Sequence, residues 1–355
     1  MIDQELHNAI SQAKIKESII LASKILLKDP GCDKNVDTLQ DTFISVISYI
    51  ASFISVMNIR LWLNVIQDVI EFIDNEKIVI KDVYIIIAKL CLLCDIYIKN
   101  PSVKTGTLGI KIIREKIIDM FENDKFKLTM NGMSKFEGII PPSDSPSYAL
   151  ASQIITGYVH ILKQLAELSS DDKDKISDIA NKIRHSFDYI IRKKYTFETK
   201  FYESDSDAVW FLWGVVSLLF DDPQLDALYQ LFCFGYSKKI KTQRVGLLWG
   251  ASLVMVYLTK KDVARNWNTT EINAIQKVEE VSIPLYNDIK RELIQSGEVY
   301  EAPSINNKAF DGIEYISSFR PNIHEKPLQS TCVSESNPDN ENTTKYIKCK
   351  RNYMS

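Results

Sequence analysis

Thirteen Lys and Arg residues lie between Lys182 and Arg265 against nine Asp and Glu, a local positive excess in a chain whose net charge is −3. Most fall in three clusters: Arg192-Lys193-Lys194, Lys238-Lys239-Ile240-Lys241 with Arg244, and Lys260-Lys261 with Arg265. Aromatic residues interleave them, Tyr189 and Tyr195 around the first, Tyr236 before the second and Trp267 after the third. Cationic side chains neutralise phosphates and aromatic faces stack on unpaired bases, so the combination suits a single-stranded polyanion. Arg184 precedes Arg192 by eight residues, about two helical turns, which makes both candidates for one groove. The competing reading of any one cluster is a solvated helix end, where cations suit the helix dipole without a ligand.

Other chemistry is sparsely provided for. Cys91-Leu92-Leu93-Cys94 has redox or zinc spacing but sits inside an apolar run with no second pair nearby, so packing is the expected role. The four histidines, 7, 160, 185 and 324, have no partners at metal-ligand spacing. There is no Gly-x-Gly-x-x-Gly, Walker loop, Gly-x-Ser-x-Gly or His-Glu-x-x-His. The expectation is a protein that is not an enzyme and needs no cofactor or metal. Acids at Asp3 and Glu5, where a signal peptide carries bases, imply an intracellular chain with reduced thiols.

The elements that must position the basic clusters read as helices. Gly (12) and Pro (11) are scarce in 355 residues, 45% of them hydrophobic, which argues against turn-rich β architectures. Apolar periodicity predicts helices over 3–27, 37–58, 59–73, 80–99 and 110–122, then over 147–168, 176–194, 208–220, 223–234, 243–259 and 271–296. Asn131-Gly132 suggests a hairpin or irregular excursion within 126–140. Residues 42–59 carry no charge, but Ser45, Ser48, Ser52 and Ser55 share one helical face. Such a stripe lets another helix approach closely, and no membrane span is expected. Helix 243–259 is apolar nearly all round and should lie at the centre of its lobe.

The fold class expected is all-α, with two helical lobes and a disordered C-terminal tail. Pro141-Pro142-Ser143-Asp144-Ser145-Pro146-Ser147 divides an N-terminal lobe, 1–140, from a C-terminal lobe, 148–300. Residues 301–355, with four prolines and little periodicity, read as a mostly disordered arm containing a short docking segment, Phe310–Phe319.

This layout resembles the nucleoproteins of negative-strand RNA viruses, the non-segmented group especially. Val245-Gly246-Leu247-Leu248-Trp249-Gly250-Ala251-Ser252 is similar to the apolar, small-residue helix of that family's second lobe. The resemblance implies RNA held without sequence reading in a basic groove between lobes, and subunits joined by terminal arms into a homo-oligomer. It implies phosphate contacts from Arg184, Arg192, Lys193, Lys194, Lys238, Lys239, Lys241 and Arg244, and stacking by Tyr189, Tyr195 or Tyr236. It also implies a viral polymerase cofactor docking on the tail, and residence in the host cytoplasm or nucleus and in the virion. A coat protein of a flexible RNA virus shares this physics. A different class, a soluble all-helical scaffold or adaptor with a docking tail, needs no polyanion.

Overall fold

The structure is a computed structural model that describes residues 2–28, 33–75, 79–99, 143–192, 208–234 and 241–297. Every regular element among them is helical: α1 (Ile2–Ser11), α2 (Ile15–Lys28), α3 (Asp33–Ala51), α4 (Ile59–Asp74), α5 (Ile80–Lys99), α6 (Tyr148–Glu167), α7 (Lys173–Arg192), α8 (Ala208–Leu219), α9 (Pro223–Cys233), α10 (Lys241–Thr259) and α11 (Thr269–Gln295). Two 3-10 turns, Val56–Asn58 and Lys261–Val263, complete the set. The all-α class expected from composition is the class observed. No helix among the described residues is long and apolar enough to cross a membrane. The predicted helix over 110–122, the hairpin at 126–140 and the tail at 301–355 lie outside the described residues.

Local sequence explains most of these helices. In α4, Ile59, Trp62, Val65, Ile66, Val69 and Ile70 recur at spacings of three and four and are all buried. Asp222 accepts a hydrogen bond from the Gln224 backbone N–H at 2.9 Å and Pro223 opens α9, as the Asp-Pro pair predicts. The helix predicted over 3–27 is instead two. Ala13 adopts a left-handed backbone, φ 59°, and the break lets α1 fold back against α2. The helix predicted over 37–58 starts earlier and stops at Ala51. There the Ser52 and Phe53 N–H groups tighten onto Tyr49 and Ile50 carbonyls, and the Ser52 hydroxyl donates to the Tyr49 carbonyl. The cap of α11 is Asn268. Its side chain accepts from Glu271 N–H while the Glu271 carboxylate accepts from Asn268 N–H, a reciprocal capping box.

The helices before residue 100 and those after 148 share one continuous core, with Phe43, Trp62 and Tyr84 joined to Tyr158, Phe187 and Trp213. The central element is α10, which packs against α3, α4, α6, α7, α8 and α9. α11 lies along α5. Two buried tyrosines keep their hydroxyls satisfied inside this core, Tyr84 on Ser23 at 2.6 Å and Tyr158 on Ser186 at 2.8 Å. Burial pushes both phenol pKa values up.

The serine stripe does what its small side chains allow. α10 lies on α3, where the Ser48 hydroxyl donates to the Gln243 carbonyl at 2.6 Å and the Gln243 amide donates to Ser45 Oγ at 2.9 Å. Gly246 faces the Ser48 backbone so closely that a Cβ there would lie 2.6 Å from the Ser48 carbonyl oxygen. One turn on, a Cβ at Gly250 would overlap the indole of Trp62, 3.0 Å from Cζ2 and closer still to Cη2.

Candidate nucleic-acid interface

The first basic cluster begins on α7. Ile176, Ala180, Ile183, Phe187, Ile190 and Ile191 form its buried stripe. Arg192 stands at the C-terminal end, its side chain 63% exposed and its guanidinium paired to Asp188 at 2.7 Å. Tyr189, part-buried, packs against the core. His185 is pushed below the ordinary histidine value by burial first and by the Arg184 charge second. Asp188 opposes this, and Arg192 adds to it.

Arg184 is a correction to the expected site. It is only 5% exposed and its Nη1 donates to the Ser52 carbonyl at 3.0 Å. Four places after Ala180 and three before Phe187, it sits on the apolar stripe of α7. Eight residues at 100° each rotate it about 80° from Arg192, enough to turn one inward and the other out. Its charge lies just past the end of α3, where helix carbonyls lack partners and a cation suits the dipole. Burial lowers its pKa, with Asp188 opposing. Arg184 therefore ties α7 to α3 and does not stand on a rim.

The second cluster leads into α10. Lys241 and Arg244 occupy the first turn of that helix, which contains no acidic residue. Backbone N–H groups at a helix N-terminus already attract anions, and cations there oppose the dipole by about 0.3–1 kcal/mol each in exposed settings. The Ser45 and Ser48 bonds to Gln243 fix this turn on α3. Arg244 is part-exposed. α7 and α10 pack directly against each other, so the helices carrying Arg192 and Arg244 are neighbours. Lys193, Lys194, Tyr195, Tyr236, Lys238 and Lys239 lie outside the described residues, as does the Lys241 side chain.

The third cluster is partly structural. Arg265 makes a bidentate pair with Glu271, 2.9 Å for each bond, and its Nε donates to Asn58 Oδ1 at 2.7 Å. Its backbone N–H donates to the Met57 carbonyl at 2.8 Å. Burial alone would push the Glu271 carboxyl up, but the Arg265 and Asn268 hydrogen bonds together hold it below its usual range. Lys261 is exposed, and its carbonyl accepts from Arg60 at 3.0 Å.

Sequence reasoning passed over Arg60, which reaches Asn266 Oδ1 at 3.1 Å and lies 5.7 Å from the centre of the Tyr257 ring. A lone Arg at the start of an amphipathic helix carries no signal of such partners. It also passed over an aromatic ladder, His7–Tyr49–Phe53–Tyr97, whose members come from three helices and the turn after α3. The cysteine pair behaves as expected. Cys91 and Cys94 are free and buried, and burial pushes the Cys91 thiol up to about 12. Among the described residues, no three His, Cys, Asp or Glu side chains gather closely enough to hold a metal. Comparison with protein-family models, with curated proteins and with solved structures finds no match to this chain.

Proposed function

We propose that this chain is a nucleoprotein that encapsidates single-stranded RNA without reading its sequence and polymerises along the strand. The observation that carries the reading is the first turn of α10. Two cations, Lys241 and Arg244, stand in the first turn of a helix whose own first turn holds no acidic residue, on a turn anchored by Ser45 and Ser48. Backbone N–H groups at a helix N-terminus favour an anion such as phosphate, and cations in the same turn add to that attraction. Lys238 and Lys239 precede the same turn in sequence, and Arg192 ends a helix that packs on α10, with Lys193 and Lys194 next in sequence. In this reading these seven cations hold phosphate, with Tyr189, Tyr195 or Tyr236 stacking on bases, while Arg184 and Arg265 hold the scaffold.

The test is the ratio of absorbance at 260 and 280 nm for the purified protein, before and after nuclease and high salt, followed by a salt titration of RNA binding. Encapsidation gives a ratio well above that of five Trp and sixteen Tyr, falling on treatment. Replacing Arg192, Lys193 and Lys194 with Ala should reduce the slope of log affinity against log salt by about 2, from roughly 0.7 per phosphate contact on a single strand. A clean protein spectrum from a chain that ignores added RNA returns the reading to an all-helical scaffold.

A further inference from the structure

His185 stands on the same side of α7 as Arg192. It precedes Arg192 by seven residues, which at 100° each places the two within about 20° of one another around the helix. Asp188 and Tyr189 lie within about 60° of His185 by the same measure, so the four residues form one strip. In that strip the Arg192 guanidinium pairs through Nε with Asp188 at 2.7 Å, the Arg192 side chain standing out in solvent and the Asp188 side chain largely covered. The His185 ring is half-buried, and no hydrogen bond fixes it among the described residues. The elements packed on α7 carry few charges: His160, Lys163 and Glu167 on α6, none on α8, and Lys241 and Arg244 on α10. The charges that act on His185 among the described residues all belong to α7: Arg184, Asp188 and Arg192.

We propose that His185 is a further phosphate contact of the RNA surface, one that takes up a proton as the backbone docks on Arg192; the inference rests on the nucleoprotein reading. In the free protein burial holds the ring below the ordinary histidine value, Arg184 adds to this, Asp188 opposes it and Arg192 adds a smaller push. The ring is therefore neutral at neutral pH, with one nitrogen a donor and the other an acceptor. A phosphodiester seated against Arg192 brings a negative charge onto the same strip and favours the charged ring. The imidazole then takes a proton from water, both nitrogens become donors, and one of them can donate to a phosphate oxygen. The bound state holds this proton more readily than the free state. Affinity accordingly rises as pH falls through the bound-state pKa and levels off below the free-state value.

The test uses the full chain, freed of nucleic acid by nuclease and high salt. Its affinity for a fluorescent oligouridylate is measured at fixed salt from about pH 7.5 to about pH 5.5, the range in which histidine changes charge. The parent should bind about tenfold tighter at the acidic end, the low end of what an adjacent opposite charge does to a pKa. His185→Gln should match the parent near the alkaline end and stay flat below it, while His160→Gln, on α6, keeps the parent's profile. Calorimetry in two buffers of different ionisation heat should show proton uptake on binding by the parent and less by His185→Gln. A parent whose affinity ignores pH, or a His185→Gln protein with the parent's profile, overturns the inference and leaves the nucleoprotein reading in place. Where His185→Gln loses helicity, Asp188→Asn decides. It removes the one charge on this helix that favours the protonated ring and should shift the profile to lower pH, and an unmoved profile overturns the proposal. Absence of RNA binding at every pH removes the nucleoprotein reading and the inference with it.

Discussion

The Ser48 hydroxyl donates to the Gln243 carbonyl at 2.6 Å, across 195 residues of sequence. Gly246 makes this approach possible, and Gly250 repeats it against Trp62 one turn later. Gly246→Ala must push into backbone atoms of Ser48, and Gly250→Ala into a fully buried indole. Each should lower unfolding free energy by about 1–3 kcal/mol, the usual range for overpacking. Urea unfolding followed by circular dichroism reads this. Trp62→Leu combined with Gly250→Ala should cost less than the sum of the two single changes, because the removed ring is the obstacle.

Arg184 and Arg192 should part company when each is replaced by Ala. Loss of Arg184 leaves the Ser52 carbonyl, in the turn after α3, without its donor, lowering stability by about 1–3 kcal/mol. Loss of Arg192 breaks a surface ion pair with Asp188, worth about 0–1 kcal/mol. In RNA titrations against salt the order reverses: the slope falls for Arg192→Ala and is kept by the folded Arg184→Ala protein. A flatter slope for Arg184→Ala alone would put that guanidinium back on the ligand.

Glu271 gives the fold an acid-sensitive joint. Its folded-state pKa lies below the ordinary 4.5, so the folded protein binds this proton less readily than the unfolded chain. The stabilisation is complete above pH 4.5 and is lost as pH falls through the lower, folded-state value. Glu271→Gln should lower stability at pH 7 by about 1.5–3 kcal/mol, the range for a hydrogen bond to a charged group. It should also lose less stability on acidification than the parent. Unfolding curves for both proteins at pH 7 and at steps below 4.5 check the sign.

Cys91, Cys94 and Cys233 should resist alkylation in the native protein. All three are buried, and burial raises the first two thiols far above neutral pH, leaving almost no thiolate. Mass spectrometry after brief iodoacetamide treatment, with and without urea, should show these three labelled only on unfolding. Native labelling of Cys91 or Cys94 would contradict the packing role assigned to the pair.

Signals that lie within one or two helical turns were readable from the chain. The serine face at 45, 48 and 52 announced a close partner, and Asp222-Pro223 announced a helix start. Helix 243–259 was recognisable as central because it has no polar face to turn outward. The break at Ala13 carried no such mark, since neither Gly nor Pro stands there and the left-handed turn is dictated by packing of α1 on α2. The stop at Ala51 was equally silent, for the apolar pattern continues through Phe53 and Ile54. Charge type was legible, but its placement was not. Arg184 shares the inward stripe with Ala180 and Phe187, a register the two-turn spacing to Arg192 conceals. The groove where the turn after α3, the last turns of α5 and the first turns of α11 meet escaped notice because its walls come from three stretches separated by tens to hundreds of residues.

The central place of α10 has a consequence for how the chain is made. Ser48 and Trp62 leave the ribosome long before Gln243 and Gly250, which cover them. At about 5–20 residues per second, the exposed face of α3 and α4 waits roughly 10–40 s for its cover. During that interval the nascent chain lacks the cover that α10 gives to the Trp62 indole and the serine track. Chains stopped before residue 241 keep that surface permanently bare, so truncation products are expected to aggregate or be degraded instead of accumulating as a stable half-molecule.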